Sequence, residues 1–114
     1  MSSCIFCRVI EGSLPSRRIY EDERLVAFHD ANPKAPLHVL VVPREHIATA
    51  NDLGAQHDAL VGEMIRRAGL IAAEHGYGER GYRTVLNCNG DAGQSVFHIH
   101  LHLLAGRHLT CPPG

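Results

Sequence analysis

The sequence predicts an α+β fold: a mainly antiparallel five-stranded sheet with one short and one long helix, in a single domain over residues 1–114. Two observations predict it. Short β-branched runs alternate with turn-forming residues, and one stretch between residues 51 and 75 shows helical spacing instead. A hydrophobic content of 45% and a charged content of 20% are those of a folded globular protein. A chain of this length can bury a core without disulfides.

The N-terminal half is predicted to hold a short helix and three strands. Residues 5–11 can form one or two helical turns, which Gly12 stops. The segment RRIYEDERLVAFHD (17–30) predicts two short strands around an acidic turn. Two prolines break regular structure in ANPKAP (31–36), and HVLVVP (38–43) is a β-branched run typical of a buried strand.

The C-terminal half is predicted to hold the long helix and the last two strands. A long helix is predicted over about residues 51–75, because apolar residues recur at helical spacing from Val61 to Ala72. Asn51 or Asp52 is the expected cap, and Gly76 the stop. YRTVLNCN (82–89) predicts a strand, GDAGQS (90–95) a tight loop, and VFHIHLHLL (96–104) the final strand.

The final strand carries three histidines in strict alternation with apolar residues. On a strand, His98, His100 and His102 would stand in a row on one face. A metal site, a phosphate site with a histidine nucleophile and a polar solvated face are all compatible with such a row. Three imidazoles in strict alternation, among nine histidines in the chain, favour a chemical site over a solvated face.

The loop before this strand suits phosphate oxygens better than a metal. Its glycines let backbone N–H groups approach an anion closely, and Gln94 and Ser95 add neutral donors. The pair Asn89–Gly90 is equally an ordinary hairpin turn signal. The loop therefore indicates a phosphate site only in combination with the histidine strand.

Charge and composition exclude several classes of partner. A net charge of −1 provides no positive field for nucleic acid, and no apolar run approaches the length of a membrane-spanning helix. No basic segment leads into a long apolar stretch at the start, so no secretory signal is expected. The four cysteines are therefore expected in a reducing, cytoplasmic environment, where the close pair Cys4 and Cys7 indicates metal or redox chemistry.

The segment GQSVFHIHLHLL (93–104) resembles the histidine-triad (HIT) signature, in which three histidines alternate with apolar residues. CIFCRVIEGSLPS, YEDERLVAFHD, APLHVLVVPREHI and the terminal PPG extend the resemblance over nearly the whole chain. Together they resemble the Hint branch, small homodimeric nucleoside phosphoramidases. The resemblance implies a HIT-like fold, a homodimer, no organic cofactor, and cleavage of the P–N bond of purine nucleoside 5′-phosphoramidates through a nucleotidyl-histidine intermediate.

The resemblance also implies a role for each matching position. His100 matches the nucleophile, His102 a charged phosphate-binding histidine, and His38 a supporting histidine. Ser95 matches the residue that assists protonation of the leaving amine. The nucleotide-binding positions are Asp30 for the ribose hydroxyls, Asn87, Gly93 and Gln94 around the phosphate and ribose, and Leu25, Phe28 and His29 around the base.

A structural zinc is implied by the same resemblance. Some bacterial members of the family hold zinc with positions that correspond here to Cys4, Cys7, His46 and His98. His98 would then face the metal while His100 and His102 serve the phosphate. Two thiols that simply pack the short helix remain the alternative.

Two other functions stay open at this point. One is a Fhit-type dinucleoside polyphosphate hydrolase that uses the same nucleophile, and the other is a noncatalytic purine nucleotide sensor. Ala31 and Cys111 replace a larger aliphatic residue and a tryptophan common in the branch. Base selectivity and leaving-group preference therefore remain open.

Overall fold

The computed structural model describes residues 3–114. Within that range, five strands form one sheet and three helices pack around it. The elements are α1 (Ile5–Glu11), β1 (Arg18–Glu21), β2 (Leu25–His29), β3 (Leu37–Pro43), α2 (Asp58–Glu74), β4 (Tyr82–Val85), α3 (Asn89–Ala92) and β5 (Leu101–Ala105), with short 3-10 turns at Ala50–Asp52 and Ala55–His57 between β3 and α2.

The strand order is β1-β2-β3-β5-β4, and every neighbouring pair is antiparallel. The predicted α+β class and five-stranded antiparallel sheet are therefore confirmed. Strand β3 lies at the centre, and all seven of its residues are buried. No helix between residues 3 and 114 combines the length and apolarity needed to cross a bilayer.

The two faces of the sheet are covered differently. Leu25 packs in the cluster formed with α2, whereas Phe28, on the opposite parity of the same strand, packs in the cluster formed with α1. The expectation that Leu25 lines the base pocket is thus wrong: its side chain lies in the core beneath α2. Helix α1 is short and covers only part of its face, which leaves room for a site there.

The long helix begins later than the sequence predicted. Thr49 caps the turn Ala50–Asp52, since its Oγ1 accepts a hydrogen bond from the Asn51 amide at 3.2 Å. Gly54 is extended and interrupts the helical path, so α2 starts only at Asp58. Asn51 and Asp52, the expected caps of the long helix, therefore lie within a separate turn, and the expected start at residue 51 is wrong.

The histidine segment is only half a strand. Its ladder begins at Leu101, and residues 96–100 lie outside it. The Ile99 amide donates instead to the Ile47 carbonyl at 2.7 Å. The Phe97 side chain is 49% exposed, so the predicted alternation of buried apolar side chains does not extend to residue 97. The predicted strand 82–89 ends at Val85, and the predicted loop 90–95 contains part of the helical turn α3.

Candidate functional site

Strands β3 and β5 bring two histidines together in a hydrogen-bonded chain. The Lys34 amide donates to His38 Nδ1 at 3.0 Å, so the proton of a neutral His38 lies on Nε2. That Nε2 lies 2.9 Å from His102 Nδ1 and 3.4 Å from Asp30 Oδ2. His102 Nδ1 is therefore the acceptor, and a neutral His102 carries its proton on Nε2.

The structure also fixes the tautomer of His100. Its Nδ1 lies 2.9 Å from the His98 carbonyl oxygen, which can only accept, so Nδ1 carries the proton. The lone pair of a neutral His100 is then on Nε2, at the far side of the ring. The Phe6 ring packs edge-on at 5.0 Å between centroids and holds the imidazole in this orientation.

A cavity of about 840 Å³ opens between α1 and these histidines. Six of the predicted site residues line it, namely Phe28, His29, Asp30, Ser95, His100 and His102. Asn87, Gly93 and Gln94, which were predicted to surround the phosphate, do not line it in this structure. The predicted catalytic and ribose positions are thus brought together, whereas the predicted glycine loop lies beside the cavity.

Gln94 holds the loop instead of facing the cavity. Its Oε1 accepts from the Asn89 amide at 2.7 Å, and its Nε2 donates to the Ala48 carbonyl at 2.8 Å. The side chain is 6% exposed, and these bonds satisfy its buried amide. Gln94 therefore positions the turn that carries Ser95, which the sequence pattern alone did not distinguish from a phosphate contact.

Sequence reasoning missed most of the apolar wall of the cavity. Ile5, Phe6 and Val9 line it from α1, with Leu14, Leu40 and Val96 around them. The available signal was the helical spacing of these apolar residues directly beside the CxxC motif. Residues 5–11 were predicted only to form a short helix, because the sequence does not show which strand face that helix leaves open.

Burial lowers the pKa values of the histidines around the cavity. Desolvation, helped by the neighbouring His100 and His38, lowers the pKa of His102 to about 4, and Asp30 opposes this shift. Burial also lowers the pKa of His38, again against the influence of Asp30. The charged His102 expected from the sequence is therefore neutral at pH 7 in the ligand-free site.

This shift predicts an acid-sensitive fold. Because the folded-state pKa of His102 lies below its unfolded value of about 6.5, the unfolded chain binds more protons between pH 6.5 and 4. Stability is thus complete above that window and falls as the pH is lowered through it. We expect His102→Asn to lose less stability than wild type between pH 7.5 and 5 in urea unfolding; equal losses would contradict the assignment.

A second cluster lies at the start of α1, on the other side of His98. Cys4 Sγ and Cys7 Sγ each lie 3.5 Å from His98 Nδ1, and Cys7 Sγ lies 3.4 Å from His46 Nδ1. The two Nδ1 atoms are 3.2 Å apart, and all four atoms lie within 4.8 Å of one another. His98 Nε2 donates to the Pro43 carbonyl at 2.7 Å, which leaves the Nδ1 lone pair directed at the cluster.

These distances fit a tetrahedral zinc centre. With Zn–S bonds of about 2.3 Å and Zn–N bonds of about 2.05 Å, tetrahedral angles place S and N about 3.6 Å apart and two N atoms about 3.3 Å apart. The measured separations are 3.4–3.5 Å and 3.2 Å. The carbonyl bond to His98 Nε2 is the outer hydrogen bond that commonly orients a metal-binding imidazole.

Known proteins resemble this chain along nearly all of its length. The family model described as "Scavenger mRNA decapping enzyme C-term binding" matches residues 3–110. The purine nucleoside phosphoramidase of Escherichia coli K12 is 45% identical over 105 residues, which are 92% of this chain and 88% of that protein.

Solved structures give the same result. A HIT family hydrolase from Legionella pneumophila superposes with a TM-score of 0.96 at 45% identity, covering 98% of this chain and 100% of that one. A zinc-bound histidine triad family protein from Mycobacterium smegmatis superposes with a TM-score of 0.81 at 35% identity, covering 92% of this chain and 76% of that one.

Proposed function

This chain belongs to the histidine-triad family, and on that premise we propose that it is a hydrolase that cleaves the P–N bond of purine nucleoside 5′-phosphoramidates. The observation that carries the proposal is the fixed tautomer of His100. Its Nδ1–H is held by the His98 carbonyl at 2.9 Å, so Nε2 is available as a nucleophile at the cavity. The 45% identity to an enzyme named as a purine nucleoside phosphoramidase supports this substrate class.

The reaction proceeds in two displacements at phosphorus. His100 Nε2 attacks the α-phosphorus in line with the P–N bond, that bond breaks, and the Ser95 hydroxyl relays a proton from solvent to the leaving nitrogen. Water then attacks the phosphorus of the nucleotidyl-histidine and loses a proton to solvent, the P–Nε2 bond breaks, and the nucleoside monophosphate leaves. His100 returns to its starting tautomer, and the water supplies the oxygen of the new P–O bond.

The chain Asp30–His38–His102 stabilises the charge of the phosphate. His38 accepts from the Lys34 amide, so its Nε2–H is directed toward His102 and Asp30. His102 then presents its own Nε2–H as a donor, which suits an anionic oxygen in a partly dehydrated cavity.

Asp30 is proposed to bind the ribose hydroxyls from the rim of the cavity. Its Oδ1 already accepts from the Asn32 amide at 2.8 Å, which orients the carboxylate. We expect Asp30→Asn to raise KM for an adenosine phosphoramidate about tenfold, since a hydrogen bond to a charged group is lost. The same change should alter KM for the 2′,3′-dideoxy analogue far less; an equal increase for both would contradict the assignment.

Hydrolysis of adenosine 5′-monophosphoramidate tests the proposed activity directly. Release of AMP and ammonia, followed by ³¹P NMR, is the expected result. Faster cleavage of diadenosine triphosphate than of the phosphoramidate would favour the dinucleoside polyphosphate hydrolase. Tight AMP binding without cleavage of either substrate would favour the noncatalytic sensor.

We also propose that Cys4, Cys7, His46 and His98 hold a structural zinc. The donor set and its 3.2–3.5 Å spacings support this, as does the likeness to a zinc-bound histidine triad protein. Protein atoms fill all four positions, so the metal would cross-link α1 to the segment after β3 and take no part in catalysis. Thiolate ligands fit a reducing compartment such as the cytoplasm.

A homodimer is proposed through α2 and the free edge of β4. Strand β4 is the last in the sheet; Tyr82 on this strand is 43% exposed, and Ile65 on α2 is 53% exposed. A second copy would cover these apolar side chains. Light scattering should give the mass of two chains for wild type and of one chain for Ile65→Asp; a wild-type mass of one chain would contradict the proposal.

A further inference from the structure

One end of the cavity carries a guanidinium group that the proposed reaction does not use. Among the described residues that line the cavity, Arg17 alone has a permanent positive charge. It directly precedes β1, and its carbonyl accepts a hydrogen bond from the His29 amide at 3.0 Å. This bond ties the backbone of Arg17 to the end of β2, so its position at the rim of the cavity is fixed.

The register of the sheet sets how far this rim lies from the reacting histidines. Arg18 on β1 pairs with Phe28 on β2. In the same row, Leu40 on β3 pairs with Phe28 on one side and with His102 on the other. Three strand spacings of about 4.8 Å place the two ends of this row about 14 Å apart. Arg17 therefore lies at the β1 end of a cavity whose other end holds His102.

The floor of the cavity between these two ends is apolar. Phe28 and Leu40 are both buried, and both line the cavity. With the α-phosphate proposed at His100 and His102, and the ribose at Asp30, the base is the part of a nucleotide that extends across this floor toward β1. A second phosphate joined to the first would remain beside the histidines instead.

A guanidinium group distinguishes the two purine bases because it carries donors and no acceptor. Guanine presents two acceptors, O6 and N7, on one edge, and a guanidinium can bind both at once. Adenine presents N7 and the N6 amino group on that edge, so an N–H of the guanidinium would face another N–H. Burial, followed by the charges of Arg17 and His75, lowers the pKa of the neighbouring His29, which is therefore neutral at pH 7 and adds no second cation.

We propose that Arg17 is a specificity-determining residue that binds the O6 and N7 edge of guanine, so that the site prefers guanosine to adenosine 5′-phosphoramidates. This selectivity rests on the proposed function, in which a purine nucleotide occupies the cavity with its phosphate at the histidines. Strand β1 and strand β4 are the two opposite edges of the sheet. A homodimer formed through β4 thus leaves Arg17 accessible.

Binding of GMP, IMP and AMP to the full-length wild-type protein in its own oligomeric state, measured by calorimetry, tests the proposal without requiring turnover. IMP has the O6 and N7 atoms of GMP but lacks its 2-amino group. We expect GMP and IMP to bind alike, and about tenfold more tightly than AMP. Arg17→Met keeps a long side chain without its donors and should reduce GMP and IMP to the affinity of AMP. Arg24→Met, an equal charge change at the opposite end of β2, should keep the preference.

The three nucleotides separate this proposal from the proposed function. Equal affinities for GMP and AMP in the wild type, or an equal loss for all three nucleotides in Arg17→Met, would show only attraction of the phosphate by charge. Either result would overturn the role of Arg17 and leave the proposed function intact. A preference for GMP over both IMP and AMP would place the selectivity at the 2-amino group and also overturn it. Absence of binding for all three would overturn the proposed function and the role of Arg17 together.

Discussion

Replacing His100 with asparagine is expected to lower kcat for adenosine 5′-phosphoramidate on the order of 10⁴-fold or more, since this change removes the proposed nucleophile. Asparagine is the matched change, because its side-chain amide can occupy the position of Nδ1–H and keep the bond to the His98 carbonyl, which is 2.9 Å long in the wild type. Only the Nε2 lone pair is lost. Rapid-quench kinetics with intact-mass detection of the nucleotidyl-protein is the measurement.

A loss of kcat identifies a nucleophile only if the His100→Asn variant still binds the nucleotide. AMP affinity and metal content of His100→Asn should stay within a few-fold of wild type, because the phosphate donors and the cysteine cluster are untouched. His75→Asn removes an exposed histidine at the end of α2 and should keep full activity and the adduct. Substantial turnover by His100→Asn would mean that water attacks phosphorus directly, and the covalent mechanism would be wrong.

The sheet could be predicted from the sequence because its strands are short, β-branched and bounded by strong turn signals. Strand β3 shows this best: its residues are buried on both faces, and a continuous apolar run is what such a position requires. The start of α2 could not be predicted, because Asn51 and Asp52 are suitable N-cap residues by type, whereas Thr49 caps a separate turn there and Gly54 is extended. The sequence does not show which of several cap residues begins the long helix.

Site residues of polar, chemically reactive types could be predicted from the sequence, whereas the apolar residues of the site could not be distinguished from the core. His100, His102 and Asp30 stand out and do line the cavity. Leu25 and Phe28 are both apolar and lie in the same strand, on opposite faces of the sheet. Only the residue on the face that α1 covers reaches the cavity, and the sequence does not show which face that is. The family resemblance already implied the division of labour along the histidine segment. The coordinates add its physical basis, since residues 96–100 leave the ladder and His98 lies against the cysteines.

Replacing Cys7 with serine is expected to abolish zinc binding and to lower Tm by about 10 °C, the shift that a loss of roughly 2 kcal/mol produces in a domain of this size. Cys7 Sγ contacts both imidazoles of the cluster, at 3.4 Å and 3.5 Å, and a serine hydroxyl does not replace a thiolate as a zinc ligand. Metal analysis and thermal unfolding measure both effects without reference to activity. Cys111→Ser changes an exposed thiol outside the cluster and should alter neither.

The kinetic consequence of Cys7→Ser should fall on KM more than on kcat. Helix α1 supplies Ile5, Phe6 and Val9 to the cavity wall, so losing its cross-link to His46 and His98 loosens the apolar side of the nucleotide pocket. His100, the proposed nucleophile, is held by different bonds. His98 keeps its 2.7 Å bond to the Pro43 carbonyl, and its own carbonyl continues to hold His100 Nδ1–H. A loss of kcat as large as that of His100→Asn would show instead that the metal centre itself positions the nucleophile.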